Sequence, residues 1–283
     1  MRFDLHVHTT ASDGTLTPTE IVRQAADAGL VVVAITDHDS IEGVPDALAA
    51  AGACRECITV IPGVELSAVY DGLDVHILGY FVNPADPELR SHLADLRAAR
   101  LNRARTIIAT LDAAGYDLSL DEVMDLSEGG AVGRSHVARA LVHRGHAQDV
   151  SDAFKRLLGR GRPFYVPKDV RTPTEVLQVI LDAGGLPVLA HPGVTGADDL
   201  IPALVANGLV GLEAYHAEHD PAQQQRYASI AADHGLLVTG GTDYHGPFAP
   251  NPPLGSMEMP DTVLPALFDA AGIALPDLPA SRS

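Results

Sequence analysis

Histidines and carboxylates stand at the ends of several apolar runs of this chain, where they could bind metal ions. His6 and His8 close the first run, and their i, i+2 spacing directs both side chains to one face of a strand. The other candidates follow later runs: His38, Glu65, His76, His191, Asp243 and His245. Neutral imidazole together with carboxylate suits Mn, Fe or Zn. Because the candidates outnumber the ligands of one ion, we expect two to three divalent metal ions, with manganese favoured.

Each of these residues also has a purely structural interpretation. His191 precedes a proline and could begin a helix, and Glu65 alone could be a surface carboxylate. Burying so many imidazoles and carboxylates together without a cation would be destabilising, however. The set as a whole therefore favours metal binding.

Apolar runs of strand length alternate with helical stretches, which is typical of parallel α/β folds. The runs cover residues 3–7, 31–36, 58–66, 75–82, 187–190, 210–214 and 237–240. Thr17 to Glu20 has the pattern of a helix start, with proline at the first helical position. Loops after the strands of an α/β barrel meet at one mouth, which would bring the candidate ligands together. We predict a barrel over residues 1–86 and 161–283, with a helical insertion or cap over residues 87–160.

The order of the motifs is similar to that of a known family. The segments DLHVHTTASDG, TDHD, IPGVELS, HILGY, AHPG and GTDYHG resemble the motifs of the PHP (polymerase and histidinol phosphatase) family. The likeness runs from Phe3 to about Gly246 and is closest to the nucleotide-phosphoesterase branch, which carries a helical insertion in the same place. It implies a distorted (β/α)7 TIM-like barrel and a metal-dependent phosphoesterase.

The resemblance also implies how the ligands are shared among the ions. One ion would be held by His6, His8, Glu65 and Asp243. A second would share Glu65 and add His76 and His191. A third would use Asp13, His38 and His245. Trinuclear relatives have a histidine in place of Asp13, so two firmly bound ions are the expected count.

Two such ions can generate a bridging hydroxide at neutral pH, whose attack on phosphorus would expel the sugar oxygen. The predicted catalytic residues are Asp13, His38 and His245, of which either histidine, if not metal-bound, could supply a proton. Asp37 is expected to orient a histidine.

Phosphate recognition is predicted for two further segments, which resemble phosphate-site segments of the same branch. Arg134 and Ser135 lie in a G-R-S-H segment before an apparent helix, and Lys168 lies in a Y-V-P-K segment. Helix starts and arginine side chains both favour anions. One of the two histidines in the segment after the sixth strand, His216 or His219, is predicted to contact a leaving group or a second phosphate, and His219 is preferred.

Other polar residues are interpreted as structural. The arginines of the first insertion helix are expected on a solvated face: Arg97, Arg100, Arg103 and Arg105. Four histidines in helical segments are expected to be surface or packing residues: His92, His143, His146 and His234. Cys54 and Cys57 are expected to be ordinary thiols.

Composition narrows the function. The formal net charge of −18 argues against binding long nucleic acids by bulk electrostatics. No leader and no apolar run near the ~20 residues of a membrane span are evident, so a cytoplasmic protein without an obligate protein partner is expected. The predicted substrate is a small phosphorylated molecule: a nucleoside monophosphate, a 3′,5′-bisphosphate or a short oligonucleotide cut from its 5′ end. The alternatives are a histidinol-phosphate phosphatase and a non-catalytic metal-binding accessory barrel.

Overall fold

A computed structural model describes residues 1–53, 58–127, 129–167, 171–247, 249 and 251–276. Within these residues, seven strands form one sheet in the order β1 to β7. The strands are β1 Phe3–Asp4, β2 Val32–Ile35, β3 Thr59–Tyr70, β4 Leu73–Tyr80, β5 Leu186–Leu189, β6 Gly211–His216 and β7 Leu237–Gly241.

The sheet curls into a nearly closed barrel. β4 runs antiparallel to both of its neighbours, β3 and β5, and the other neighbouring strands are parallel. The two edges approach each other beyond β1 and β7, where Val7 and Tyr244 form an isolated bridge and the His8 N–H donates to the Tyr244 carbonyl at 2.9 Å. The predicted fold, a distorted seven-stranded TIM-like barrel, is confirmed.

The helices are α1 Pro18–Asp27, α2 Val44–Ala53, α3 Pro87–Ala113, α4 Leu120–Asp125, α5 Arg134–His143, α6 Val150–Ala153, α7 Pro173–Asp182, α8 Pro192–Thr195, α9 Ile201–Ala206, α10 Pro221–His234 and α11 Val263–Ala270. The predicted helix start is confirmed: the Thr17 side chain accepts from the Glu20 N–H, and the Glu20 carboxylate accepts from the Thr17 N–H. The same reciprocal pair joins Thr172 to Glu175 at the start of α7. Such pairs satisfy the N–H groups that a helix leaves without partners at its first turn.

Two apolar layers enclose the barrel strands. The inner layer includes strand residues such as Phe3 and Leu78, which belong to one apolar cluster with Leu264 and Phe268 of α11. Outside, strand residues such as Val33 of β2 belong to a second apolar cluster together with helix residues such as Ile21 of α1. These layers hold the strand ends, and therefore the side chains at the mouth, in fixed positions.

The predicted helical insertion has a core of its own, formed by α4, α5, α6, a π-helix over Phe154–Leu158 and the second half of α3. The first half of α3 packs on the barrel instead, through Leu89 and Leu93. A separate domain over residues 87–160 therefore stays a prediction.

Two strands differ in length from their predicted runs. β1 is short because the backbone N–H groups that follow it donate to side chains instead of to the neighbouring strand. The His6 N–H donates to the Asp4 carboxylate at 3.3 Å, and the Val7 N–H donates to the Thr36 hydroxyl at 3.0 Å. β3 continues to Tyr70, so Glu65 lies inside a strand rather than at its end. No helix within the described ranges is long and apolar enough to cross a membrane.

Candidate metal centre

Glu65 lies at the centre of the cluster of imidazoles and carboxylates at the barrel mouth. Its Oε1 is 2.8 Å from His76 Nδ1 and 3.1 Å from His191 Nε2, and its Oε2 is 2.9 Å from His38 Nδ1. The same Oε2 is 3.3 Å from His6 Nε2. The side chains come from β3, β4 and the segments that follow β1, β2 and β5, so the barrel itself assembles this group.

Asp243 forms the second centre of the cluster, beyond the end of β7. Its Oδ1 lies 3.0 Å from His8 Nε2 and 3.3 Å from His6 Nε2, and its Oδ2 lies 3.6 Å from His216 Nε2. Asp243 and His191 both have positive φ, 51° and 29°, a conformation that non-glycine residues rarely adopt. Such backbone strain is found most often at functional sites.

Asp13 and His245 form the third part of the cluster. His245 Nε2 lies 3.3 Å from Asp13 Oδ1, and its ring stacks on that of His8 with centroids 4.1 Å apart. The Asp13 Oδ2 accepts a hydrogen bond of 2.7 Å from the Ser135 hydroxyl of α5. This contact ties the start of α5 to the barrel mouth.

Four overlapping groups of these residues have ligand atoms within 4.8 Å of one another. They are His6–His8–Glu65, His38–Glu65–His76, His6–His216–Asp243 and His8–Asp13–His38–His245. All nine of the predicted metal ligands therefore lie in one cluster, although His191 contacts Glu65 without entering any of the four groups.

Several buried ligand atoms in the cluster make no hydrogen bond with any described residue: His6 Nε2, His8 Nε2, His191 Nδ1, His216 Nε2, Asp13 Oδ1 and Glu65 Oε2. A buried polar atom without a hydrogen bond costs about 1–3 kcal/mol. Apart from His191, the residues that carry these atoms belong to the four groups, so a divalent cation would satisfy several of the atoms at once. The donor set of neutral imidazole and carboxylate fits divalent metal ions.

Protonation states match the needs of a metal site at some of these residues. Burial opposes ionisation of Glu65, but His38 and His76 hold the pKa of its carboxyl well below the usual value. Burial and the neighbouring His245 lower the pKa of His8 to about 4. Ionised carboxylate and neutral imidazole are the forms that bind metal. Although burial opposes it, neighbouring carboxylates raise the pKa values of His6 and His191, and they raise that of His245 to about 10, so these three imidazoles would release protons on binding a metal ion.

Two further residues belong to the cluster: Glu213, which the sequence did not single out, and His216, which was considered only for substrate contact. Glu213 Oε1 lies 2.9 Å from His6 Nδ1, and its Oε2 accepts from the His191 N–H at 2.8 Å, so this buried carboxylate orients two of the predicted ligands. His216 follows it three residues later. Regular alternation would place the two side chains on opposite faces of β6, but the pairing with β7 shifts register between Glu213 and Tyr215. The bulge was not evident from the sequence.

A pocket of about 110 Å³ opens beside the cluster. Its barrel side is formed by Asp13, His38 and His76, and its insertion side includes Arg100, Arg103, Arg134, Ser135 and Phe154. The expectation that Arg100 and Arg103 lie on a solvated helix face is therefore wrong. Arg100 binds the Asp39 carboxylate and donates to the Ser67 hydroxyl at 2.9 Å, because α3 crosses from the barrel into the insertion at this point.

Of the predicted phosphate-binding residues that the structure describes, Arg134 and Ser135 line the pocket and His219 does not. Arg134 lines the pocket and pairs with Asp74 at 2.5 Å, and Ser135 lines it beside Asp13. His219 has both ring nitrogens hydrogen-bonded inside the protein, to the Ala214 carbonyl at 2.9 Å and the Gly193 N–H at 3.0 Å, so its contact with substrate stays a prediction.

Some other predictions can be compared with the structure and some cannot. Lys168, Cys54 and Cys57 lie outside the described residues. Among the described residues, no hydrogen bond joins Asp37 to a histidine, so its predicted orienting role stays a prediction. Asp37 accepts from the Thr9 N–H at 2.7 Å and the Ser12 hydroxyl at 2.6 Å, and so shapes the loop that carries Asp13.

Comparison with known proteins agrees with this site. The model of the PHP domain matches residues 4–160, more than half of the chain. The chain belongs to the PHP family. It is 36% identical over 257 residues to the 5′-3′ exoribonuclease Rnm of Salmonella typhimurium, covering 87% of this chain and 85% of the relative. It is 37% identical over 250 residues to a 3′,5′-nucleoside bisphosphate phosphatase of Chromobacterium violaceum, covering 86% of this chain and 87% of the relative.

A solved PHP-type structure is also similar over nearly the whole chain. It is a protein of Bifidobacterium adolescentis assigned as a metal-dependent phosphoesterase, with a TM-score of 0.88 and 35% identity. The match covers 96% of this chain and 97% of that chain. The predicted enzyme class, a metal-dependent phosphoric ester hydrolase, is confirmed.

Proposed function

We propose that this PHP enzyme hydrolyses phosphate esters of nucleotides: nucleoside monophosphates, 3′,5′-bisphosphates or the 5′ ends of short oligonucleotides. The observation that carries the proposal is the pocket itself, which has predicted metal ligands on one side and three guanidinium groups on the other. Phosphate esters match this pairing, since their oxygens bind both metal ions and arginine side chains. The similarity to an exoribonuclease and a bisphosphate phosphatase supports nucleotides as the substrate class.

We assign two firmly held divalent ions to the cluster, with manganese favoured. The first would be held by His6, His8, Glu65 and Asp243, and the second by Glu65, His76 and His191. Asp13, His38 and His245 would hold a third, weaker one. His216 also points at Asp243 and is added to the first group.

When bound, such ions would polarise the phosphoryl group and lower the pKa of an attacking water molecule. The chain's own residues supply the rest. Arg134 and Ser135 bind the phosphoryl oxygens, since both line the pocket at the start of α5. His38 also lines the pocket, and its Nδ1 faces Glu65. When no third ion is bound, its Nε2 is the atom that can pass a proton to the departing sugar oxygen.

The pocket volume indicates how much of the substrate is enclosed. Its volume of about 110 Å³ is several times the ~10–15 Å³ of cavity that one water molecule requires, so a phosphoryl group fits. The net charge of −18 disfavours a long polymer as the substrate.

The proposal is tested by assaying one preparation against adenosine 5′-monophosphate, adenosine 3′,5′-bisphosphate, a short oligoribonucleotide and histidinol phosphate. We expect release of phosphate or mononucleotide from at least one of the first three, and none from histidinol phosphate. Hydrolysis of histidinol phosphate alone would contradict the proposal. Metal analysis of the same preparation should find about two equivalents of Mn, Fe or Zn, and a fully folded protein that never binds metal would overturn the assignment of the cluster.

A further inference from the structure

Three arginines line the pocket, and two of them are neutralised within the protein. Arg100 pairs with Asp39, and Arg134 pairs with Asp74. Arg103 has no such partner: no carboxylate of a described residue lies within 4.0 Å of its guanidinium. It therefore brings a positive charge to the pocket without a matching negative one.

The guanidinium of Arg103 is held in place by neutral groups. Its Nε donates to the Val166 carbonyl at 2.7 Å, and its charge lies 5.7 Å from the centre of the Tyr165 ring. Arg134 lies at the same distance, 5.7 Å, from that ring, so Tyr165 interacts with both guanidinium groups. A cation near an aromatic ring is stabilised only modestly, and far less than by an anion.

Burial makes the absence of a counter-charge costly. The Arg103 Nη2 atom is buried and makes no hydrogen bond to any described residue. Burial and the nearby Arg134 lower the pKa of Arg103 to about 10, which still leaves it charged at neutral pH. A buried, charged donor at a pocket wall is satisfied when an anion enters the pocket.

The position of Arg103 indicates which anion this would be. Arg100, three residues earlier on α3, is bound to Asp39, the neighbour of the predicted ligand His38. A helix rises about 1.5 Å per residue, so Arg103 lies roughly 4.5 Å further along α3, on the side of the insertion. Its contacts, Tyr165 and Val166, belong to the segment that rejoins the barrel. Arg103 therefore lies on the insertion side of the pocket, so an anion bound to it would lie beside one bound at the predicted metal ligands.

We infer that Arg103 forms a second anion subsite, which binds a phosphate group of the substrate other than the one being cleaved. The inference rests on the proposed function and narrows it: the preferred substrates are nucleotides with two phosphate groups, such as 3′,5′-bisphosphates. A guanidinium suits this role because its planar N–H groups pair with two phosphate oxygens at once.

The test compares two arginines of the same helix. Arg103→Gln removes the charge at the pocket, and Arg105→Gln removes the charge of an exposed arginine that does not line it. Initial rates are measured for adenosine 3′,5′-bisphosphate and adenosine 5′-monophosphate. We expect Arg103→Gln to lower kcat/KM for the bisphosphate by about tenfold or more, the effect of one charge-assisted hydrogen bond. The value for the monophosphate should change less than about twofold, and Arg105→Gln should alter neither.

Equal losses for the two substrates, or no loss for either, would refute the second subsite. Folding is checked separately, by the unfolding midpoint of each variant without ligand. If the wild-type protein hydrolyses no nucleotide, the proposed function fails, and ligand binding then decides the inference by itself. In that case the bisphosphate must raise the unfolding midpoint more than the monophosphate does, and Arg103→Gln must abolish the difference. Any other pattern of midpoints would overturn the inference.

Discussion

The barrel mouth and the insertion contribute opposite charges to the same pocket. At the mouth, the carboxylates of Glu65, Glu213 and Asp243 lie among histidines, and the first two are fully buried. On the insertion side, Arg100, Arg103 and Arg134 face the pocket from α3 and the start of α5. The barrel groups suit cations and the insertion groups suit anions. Mutations in the two regions should therefore have different effects. Those at the mouth should lower the metal content, and those in the insertion should lower the affinity for substrate.

The largest effect is expected at the mouth. Asp243→Ala removes the carboxylate that lies 3.0 Å from His8 and 3.3 Å from His6. We expect activity to fall on the order of 10³-fold or more, since metal ions supply several kcal/mol of transition-state stabilisation. Metal content, measured by mass spectrometry, should fall with it, whereas Asp233→Ala, an exposed control on α10, should change neither. Full activity in Asp243→Ala would remove this residue from the metal centre.

A smaller effect is expected from the carboxylate that orients the ligands. Glu213→Gln weakens the contacts to His6 Nδ1 and the His191 N–H. Loss of such an orienting group typically costs 10–100-fold in metal affinity or activity. Manganese affinity, measured by competition with a chelator, should fall in this range, and Glu218→Gln on the same segment should leave it unchanged. Unaltered affinity in Glu213→Gln would show that His6 is positioned by the barrel packing alone.

The insertion side should show the opposite behaviour. Arg134→Ala should raise KM for the nucleotide substrate by about tenfold, from the loss of charged hydrogen bonds to phosphate. Metal content should stay intact because Arg134 contacts Asp74 and no predicted ligand. Arg144→Ala, an exposed arginine at the end of α5, serves as the control. If Arg134→Ala loses metal instead, the division between the two regions is wrong.

The smallest effect concerns helices that support the barrel away from the pocket. Hydrogen bonds from Thr17 and Thr172 lower the pKa values of Glu20 and Glu175 below the usual 4.5. The unfolded chain therefore binds more protons in acid, so these carboxylates stabilise the fold above pH 4.5 and stop doing so as the pH falls through their folded pKa values.

Replacing both glutamates by glutamine should make stability slightly less sensitive to acid, because an amide accepts the same hydrogen bond without titrating. The measurement is the difference in unfolding midpoint between pH 7 and about pH 4. Glu88→Gln, in the first turn of α3 and outside any such pair, should behave as wild type. If the double variant is as sensitive to acid as the wild-type protein, the carboxylates of Glu20 and Glu175 have the same pKa values in the folded and the unfolded chain.

The sequence predicted the barrel side of the pocket better than the insertion side. Strand runs and the residues that follow them depend on local pattern, so His6, His8 and Asp243 could be assigned to one mouth from their positions alone. Arg100 and Arg103 were misjudged because the helical pattern of α3 does not reveal that its first half packs on the barrel and its second half in the insertion core. That change of partner is what turns these two arginines towards the pocket.

By itself, the sequence determined the kinds of ligand, their order along the chain and the barrel that gathers them, because strand periodicity and polar residues at strand ends are local properties. Only the tertiary structure decided how the ligands are grouped and oriented. The bulge in β6 brings Glu213 and His216 to one face, and the path of α3 brings Arg103 to the pocket without a carboxylate partner among the described residues. Both depend on which elements pack together in space, and contacts between residues distant in sequence leave no periodic pattern.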